Sequence, residues 1–263
     1  MKTKWPILLI VLFAILFVVS AILLIIYYSE SNRQAKIYEE LAEMMELPPD
    51  SSTDEHADDD YITVFAPDGS SFDILREFQR LYEENPDIAG WITIEDTTLN
   101  YPVVHKPDSK DYYLRRNFYG EKARQGCLYV QESCSVFPAS DQIVIFGHNM
   151  KDGSMFSCLR KYLNKNFFEE HPTITFNTLT DRGEYEIFSV FTISATSDNE
   201  FPFYDHVYLP NEETFQSVID TCKGMSLYDT GIVPQFGDKI LTLITCEYTK
   251  ENGRLVVMAR KIR

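Results

Sequence analysis

Residues 239–262 read KILTLITCEYTKENGRLVVMARKI, and the fold turns on them. Two apolar runs, Lys239–Cys246 and Arg254–Ile262, are rich in β-branched residues and are separated by a polar stretch ending in the turn dipeptide Asn252-Gly253. Paired as a hairpin, they bring Cys246 and Arg254 to the same rim of a sheet. A strand end presents a side chain from a rigid backbone, which suits a nucleophile. A guanidinium beside it favours a thiolate and can hold a developing oxyanion.

Similar runs precede this pair: Gly90–Ile94, Leu99–Val104, Cys127–Val130, Gln142–Phe146, Thr173–Phe176 and Glu184–Ile193. Turn residues such as Asp152-Gly153 and Gly237-Asp238 divide them. About eight short strands predict a mainly β domain, an antiparallel barrel or sandwich. The spacing predicts helices at Ser154–Leu163 and Glu212–Lys223, the second with Phe215, Val218, Ile219 and Cys222 inward. It also predicts a helix over 71–84 (SFDILREFQRLYEE), capped by Ser71 and stopped by Asn85-Pro86.

A thiol nucleophile needs a proton partner, most often histidine. His148 follows the buried-type strand Gln142–Phe146 and Gly147, the same placement as Cys246. His105, His171 and His206 lie in loop-like contexts and read as surface or packing residues. Among the other cysteines, Cys158 and Cys222 fall on apolar helix faces, Cys127 begins a strand, and Cys134 sits in a loop where half-exposure is expected. An odd count of five leaves at least one thiol unpaired in an exported domain, and no pairing is readable from spacing.

Composition sets outer limits. Of 263 residues, 44% are hydrophobic and 24% charged, which is globular and excludes a disordered chain. The net charge of −16 with no basic patch argues against nucleic-acid binding. There is no P-loop, no dinucleotide-binding glycine fingerprint and no HExxH.

From Trp5 to Tyr28 the chain carries no charge, longer than the roughly 20 residues that cross a bilayer. A buried core helix seldom stays apolar all round for so long, and the run outlasts a cleaved signal's apolar region. An uncleaved single-pass anchor is expected. Lys2 and Lys4 before it, against mixed charges after it, predict a cytoplasmic N-terminus and an extracellular domain. Residues 35–47 read as a helical stalk, and 48–60 (PPDSSTDEHADDD), including His56, as an acidic flexible linker. The expected division is anchor 1–28, stalk and linker 29–70, and a folded domain 71–263.

The segments FGHNM (146–150), TLITCEYT (242–249) and GRLVV (253–257) together resemble the sortases, membrane-anchored cysteine transpeptidases of Gram-positive bacteria. GWITIEDTTLNYPVV (90–104), DYYLRRNFYG (111–120) and the long helix-bearing insert 197–232 resemble the class B branch. The resemblance covers roughly 71–263. It implies an eight-stranded β-barrel with an N-terminal helical extension and a helix inserted before the cysteine strand. It implies Cys246 as nucleophile, His148 as general acid/base, and Arg254 as the group that stabilises oxyanion or substrate. Glu247 and Thr245 match positions near the substrate. It implies cleavage of an LPxTG- or NPxTx-like sorting signal through a thioester, and transfer to an amine of a cell-wall precursor, without metal or organic cofactor. The alternatives are a class B-like pilin polymerase, a papain-like hydrolase, and an inactive membrane-tethered barrel that binds peptide or acts as an adhesin. The chain departs from the family pattern at Ile244, Tyr129, Gln131 and Met258.

Overall fold

The computed structural model describes residues 5–46, 60–66, 69–194, 203–247 and 253–263. The chain falls into two units, Met1–Glu40 and Leu41–Arg263. Helix α1 (Trp5–Glu46) begins with the uncharged run. Its apolar side chains from Leu8 to Tyr28 are largely exposed, as a candidate membrane span requires. Past Tyr28 the same helix turns polar, and Arg33 and Gln34 both donate to Glu30 one turn earlier. The expected linker, apart from Asp60, lies outside the described residues.

Residues 71–84 are not one helix. Ser71–Leu75 is a strand, β2, antiparallel to β1 (Tyr61–Phe65) with Val64 opposite Phe72 and Ile62 opposite Ile74. The Leu75 N–H donates to the Leu179 carbonyl at 2.6 Å. The apolar positions Ile74, Leu75, Phe78, Leu81 and Tyr82 suit a helical period, but inter-strand hydrogen bonds claim the first five residues. A 3-10 turn (Arg76–Phe78) then leads into α2 (Gln79–Glu84). Asn85 ends it in extended geometry, as the residue before a proline must.

Eight strands close a barrel in the order β10-β8-β7-β3-β4-β5-β6-β9. They are β3 (Ile88–Thr93), β4 (Asn100–Val104), β5 (Leu128–Val130), β6 (Gln142–Phe146), β7 (Thr173–Thr178), β8 (Glu184–Ser194), β9 (Ile240–Glu247) and β10 (Gly253–Lys261). The expectation of purely antiparallel pairing fails at two seams, since β4–β5 and β6–β9 are parallel. Parallel neighbours need long crossovers. Residues 105–127 supply one, and the whole stretch from β7 to α4 (Glu212–Met225) lies within the other.

α4 begins at Asn211, whose side chain accepts from the Thr214 N–H, and buries Phe215, Val218, Ile219 and Cys222. It packs on β8, where the Ser189 hydroxyl donates to the Cys222 carbonyl at 2.7 Å. The predicted helix at 154–163 is a 3-10 segment, Phe156–Leu163, followed by α3 (Lys165–Glu170). The 3-10 segment lies against β8, β9 and β10, and α3 packs on that segment. Strands so covered are buried on both faces and read as continuous apolar runs, the feature that made them visible in the sequence.

Candidate active site

Three strands meet side by side at one rim: β6, β9 and β10. Cys246 is the penultimate residue of β9 and stands directly opposite Arg254 on β10. Directly opposed residues project on the same face with Cβ atoms about 4.5–5.5 Å apart. On the other flank, β6 runs parallel to β9 with Phe146 level with Ile244. His148 comes two residues later, just past the end of β6. The Gly147 N–H continues the ladder to the Ile244 carbonyl at 3.1 Å. Cysteine and arginine thus stand opposite each other on β9 and β10, with histidine just past the end of β6 on the other flank of β9.

Gly147 is needed between β6 and His148. A Cβ there would lie 2.4 Å from Leu128 Cδ2 and 2.5 Å from the Phe156 ring. The loop that follows is tied back by the Phe156 N–H, which donates to the His148 carbonyl at 3.0 Å.

The His148 ring bonds through Nε2 to the Leu114 carbonyl at 2.8 Å. A carbonyl only accepts, so Nε2 carries the hydrogen, and in the neutral ring Nδ1 is the basic nitrogen. Burial holds the imidazole below the ordinary histidine range, and the charges of Arg115 and Arg254 push the same way, against the Leu114 bond. The ring is therefore predominantly neutral at pH 7. The Arg254 guanidinium donates to its neighbour's carbonyl, Gly253 O, through Nη1 at 3.1 Å.

The nucleophile position is held from its own backbone. The Asn149 side chain, 8% exposed, donates from Nδ2 to the Cys246 carbonyl at 2.9 Å. After Gly147, the next rung of the parallel ladder would come from the backbone N–H of residue 149. There the backbone bridges instead to Met155, and the side-chain amide reaches the Cys246 carbonyl. Asn149 lies inside FGHNM, yet nothing in the motif signals this contact.

Thr245 is 2% exposed, and its hydroxyl donates to the Gly147 carbonyl at 2.8 Å. That bond crosses the β6–β9 seam. Glu247 ends β9 opposite Gly253. The expectation of a half-exposed Cys134 is corrected: it is buried, with its thiol against the Gln142 carbonyl and the Val144 N–H, and burial pushes it up to about 11. Cys127, Cys158 and Cys222 are buried and Cys246 is half-buried, with no disulfide among the described residues. His105 follows β4 at the opposite rim, and His171 packs its ring 4.3 Å from that of Phe167. Among the described residues no three His, Cys, Asp or Glu side chains converge as metal ligands.

The Leu114 carbonyl has its own supports. It belongs to a 3-10 turn, Tyr112–Arg115. Gly126, at φ +62°, passes so close that a Cβ would lie 2.5 Å from that oxygen. The sequence offered DYYLRRNFYG as a motif but not the carbonyl within it as the partner of His148.

The family model for the sortase domain matches residues 92–262. The chain is 37% identical to sortase B of Listeria monocytogenes over 196 residues, 74% of this chain and 76% of that protein. It is 31% identical to sortase B of Staphylococcus aureus over 189 residues, 71% of this chain and 75% of that one. Among solved structures, sortase B from Bacillus anthracis in complex with AAEK1 superposes with a TM-score of 0.70 at 29% identity, covering 90% of this chain and 99% of that one. A Staphylococcus aureus sortase B–substrate complex gives 0.73 at 25% identity, covering 89% and 99%. A closed eight-stranded barrel with cysteine, histidine and arginine abreast at one rim accords with these matches, and the chain belongs to the sortase family of cysteine transpeptidases, in its class B branch.

Proposed function

We propose that this sortase is held on the membrane by the apolar part of α1, with its N-terminus cytoplasmic and its barrel outside. There it cleaves an LPxTG- or NPxTx-like sorting signal and transfers the chain to an amine of a cell-wall precursor. The observation that carries the reading is the row at one rim: Cys246 opposite Arg254, with His148 just past the end of β6, the strand paired with β9.

The chemistry follows from that row. Neutral His148 takes the Cys246 proton at Nδ1 as Sγ attacks the scissile carbonyl. Negative charge collects on the carbonyl oxygen, where the fork of Arg254 donates to it. The imidazolium, destabilised by burial, then gives its proton to the departing amine nitrogen. The C–N bond breaks and a thioester remains. The incoming amine returns the sequence: it attacks the thioester carbonyl and yields a proton to Nδ1. The C–S bond breaks, and the sulfur recovers the proton. His148 must cycle between two states, and its Nε2–H bond to Leu114 persists in both. Glu247, at the rim beside the nucleophile, is a position for a substrate contact.

Intact mass spectrometry of the full chain in detergent, with LPxTG- and NPxTx-type peptides, tests the proposal. An adduct on Cys246 that an added amine releases is the expected result. A folded chain whose Cys246 alkylates but forms no adduct with any peptide of either class would remove the transfer reading.

A further inference from the structure

Beside the row of strands lies a contact that takes no part in the bond-making steps. Tyr129 on β5 is 7% exposed, and its hydroxyl donates to Asp111 Oδ1 at 2.7 Å. Its ring packs 5.6 Å from that of Phe146, the residue before Gly147-His148. Asp111 has φ +54°, a conformation few non-glycine residues adopt, and it opens the Tyr112–Arg115 turn. That turn carries the Leu114 carbonyl. The structure assigns Tyr129, acting through Asp111, as a positioning residue that latches this turn so that the Leu114 carbonyl meets His148 Nε2.

Two further contacts define what the latch must do. On its far side the turn is fixed by Tyr113, whose hydroxyl donates to the Asp87 carboxylate at 2.7 Å and accepts from Asn85 Nδ2 at 3.0 Å. The Cys127 N–H also donates to the Tyr113 carbonyl at 3.1 Å. On the near side, the Tyr129–Asp111 bond joins the start of the turn to β5, which is itself paired with β6, Tyr129 opposite Phe146. The bond therefore connects the acceptor of the histidine's hydrogen to the strand that ends beside the histidine. Burial keeps the Tyr129 phenol protonated, so it stays a donor. The charge of Arg254 reaches both Tyr129 and His148, which places the latch on the border of the reacting groups. With the latch open, Leu114 drifts, the Nε2–H loses its fixed acceptor, and the ring divides its proton between two tautomers. Only one of them has Nδ1 free to take the thiol proton.

This inference rests on the transferase reading for its kinetic part, but its structural part can be read without turnover. The experiment uses the full chain in detergent, labelled with 15N-histidine, and His148 is assigned by its loss in His148→Gln. Tyr129→Phe keeps the ring against Phe146 and removes the hydroxyl. Asp111→Gly removes the acceptor while accepting φ +54° without strain. Asp111→Asn keeps an oxygen acceptor and tolerates the conformation. Tyr129→Phe and Asp111→Gly should each move the His148 nitrogens from a single Nε2–H pattern toward averaged tautomers and speed exchange of the Nε2 proton. Asp111→Asn should restore the native pattern. Where peptide turnover is measurable, kcat should fall about tenfold in the first two with KM little changed, the size of one net hydrogen bond. The double variant should be no worse than either single one. An unaltered His148 signal in folded Tyr129→Phe overturns the latch. Averaged tautomers in a chain whose wild type acylates no peptide uphold the latch and sink the substrate reading instead.

Discussion

Asn149 offers a test that needs no knowledge of the substrate. Asn149→Ala removes the donor from the Cys246 carbonyl and puts nothing in its place. A buried carbonyl stripped of its partner costs about 1–3 kcal/mol. In a domain of this size each kcal/mol lowers Tm by roughly 2–4 °C. Asn149→Asp is the sharper variant, because it is nearly isosteric but sets an acceptor-only carboxylate against an acceptor. Stability should therefore fall in the order Asn, Ala, Asp, read by thermal unfolding of the full chain in detergent. Peptide acylation should follow the same order, since the nucleophile's backbone loses its tie to β6. Equal Tm for wild type and Asn149→Asp would refute the idea that a side-chain amide completes the parallel ladder.

Other expectations follow from the same geometry. At neutral pH iodoacetamide should label Cys246 alone, because Cys127 is buried and burial raises the Cys134 and Cys158 thiols to about 11 and Cys222 to about 12; peptide mapping that finds fast labelling at any of those four would contradict the packing. Cys246→Ala should abolish the acyl-enzyme with Tm nearly unchanged, and retained turnover would remove Cys246 as nucleophile. Arg254→Lys should cut kcat/KM by roughly 100-fold or more, since an ammonium does not reproduce a planar fork at the oxyanion; near-native rates would leave Arg254 a packing role. His148 and His105 both sit below the ordinary histidine value of 6.5, chiefly through burial. The unfolded chain then binds more protons than the folded one as pH drops past about 6.5, so stability falls below that pH and is intact above it. The acid limb of kcat/KM should likewise lie below 6.5, and a limb above it would contradict a neutral, buried base.

Much of the barrel was legible because its strands are long in apolar residues and sharply punctuated. Gln142–Phe146 is a strand at the predicted limits, β8 differs from expectation by one residue at one end, and β9 and β10 by one residue at each end. Burial on both faces wrote those strands into the sequence as runs. Cys246 and Arg254 could be placed on one rim because only seven residues separate them in the sequence. The parallel seams could not be read, since nothing local in Phe146 or Ile244 specifies a partner about 100 residues away. Ser71–Leu75 misled because five residues fit either period, and the neighbour across the sheet, Tyr61–Phe65, decides between them. The Leu114 carbonyl and the Asn149 amide were invisible for a different reason: one is backbone, the other depends on where a loop turns. Tyr129 stood out as a departure, but its partner Asp111 lies across a crossover.

The strand order has a consequence for the protein's birth. β9 seals the barrel between β6 and β10, and both it and β10 belong to the last 24 residues. Cys246 gains its hold on Asn149 across 97 positions of sequence. Such closure is entropically late, because loop ends must meet before any contact rewards them. A nascent chain with every strand but these two translated would still hold an open sheet edge and a histidine without its thiol. The site therefore stays incomplete until both β9 and β10 have docked against the rest of the barrel.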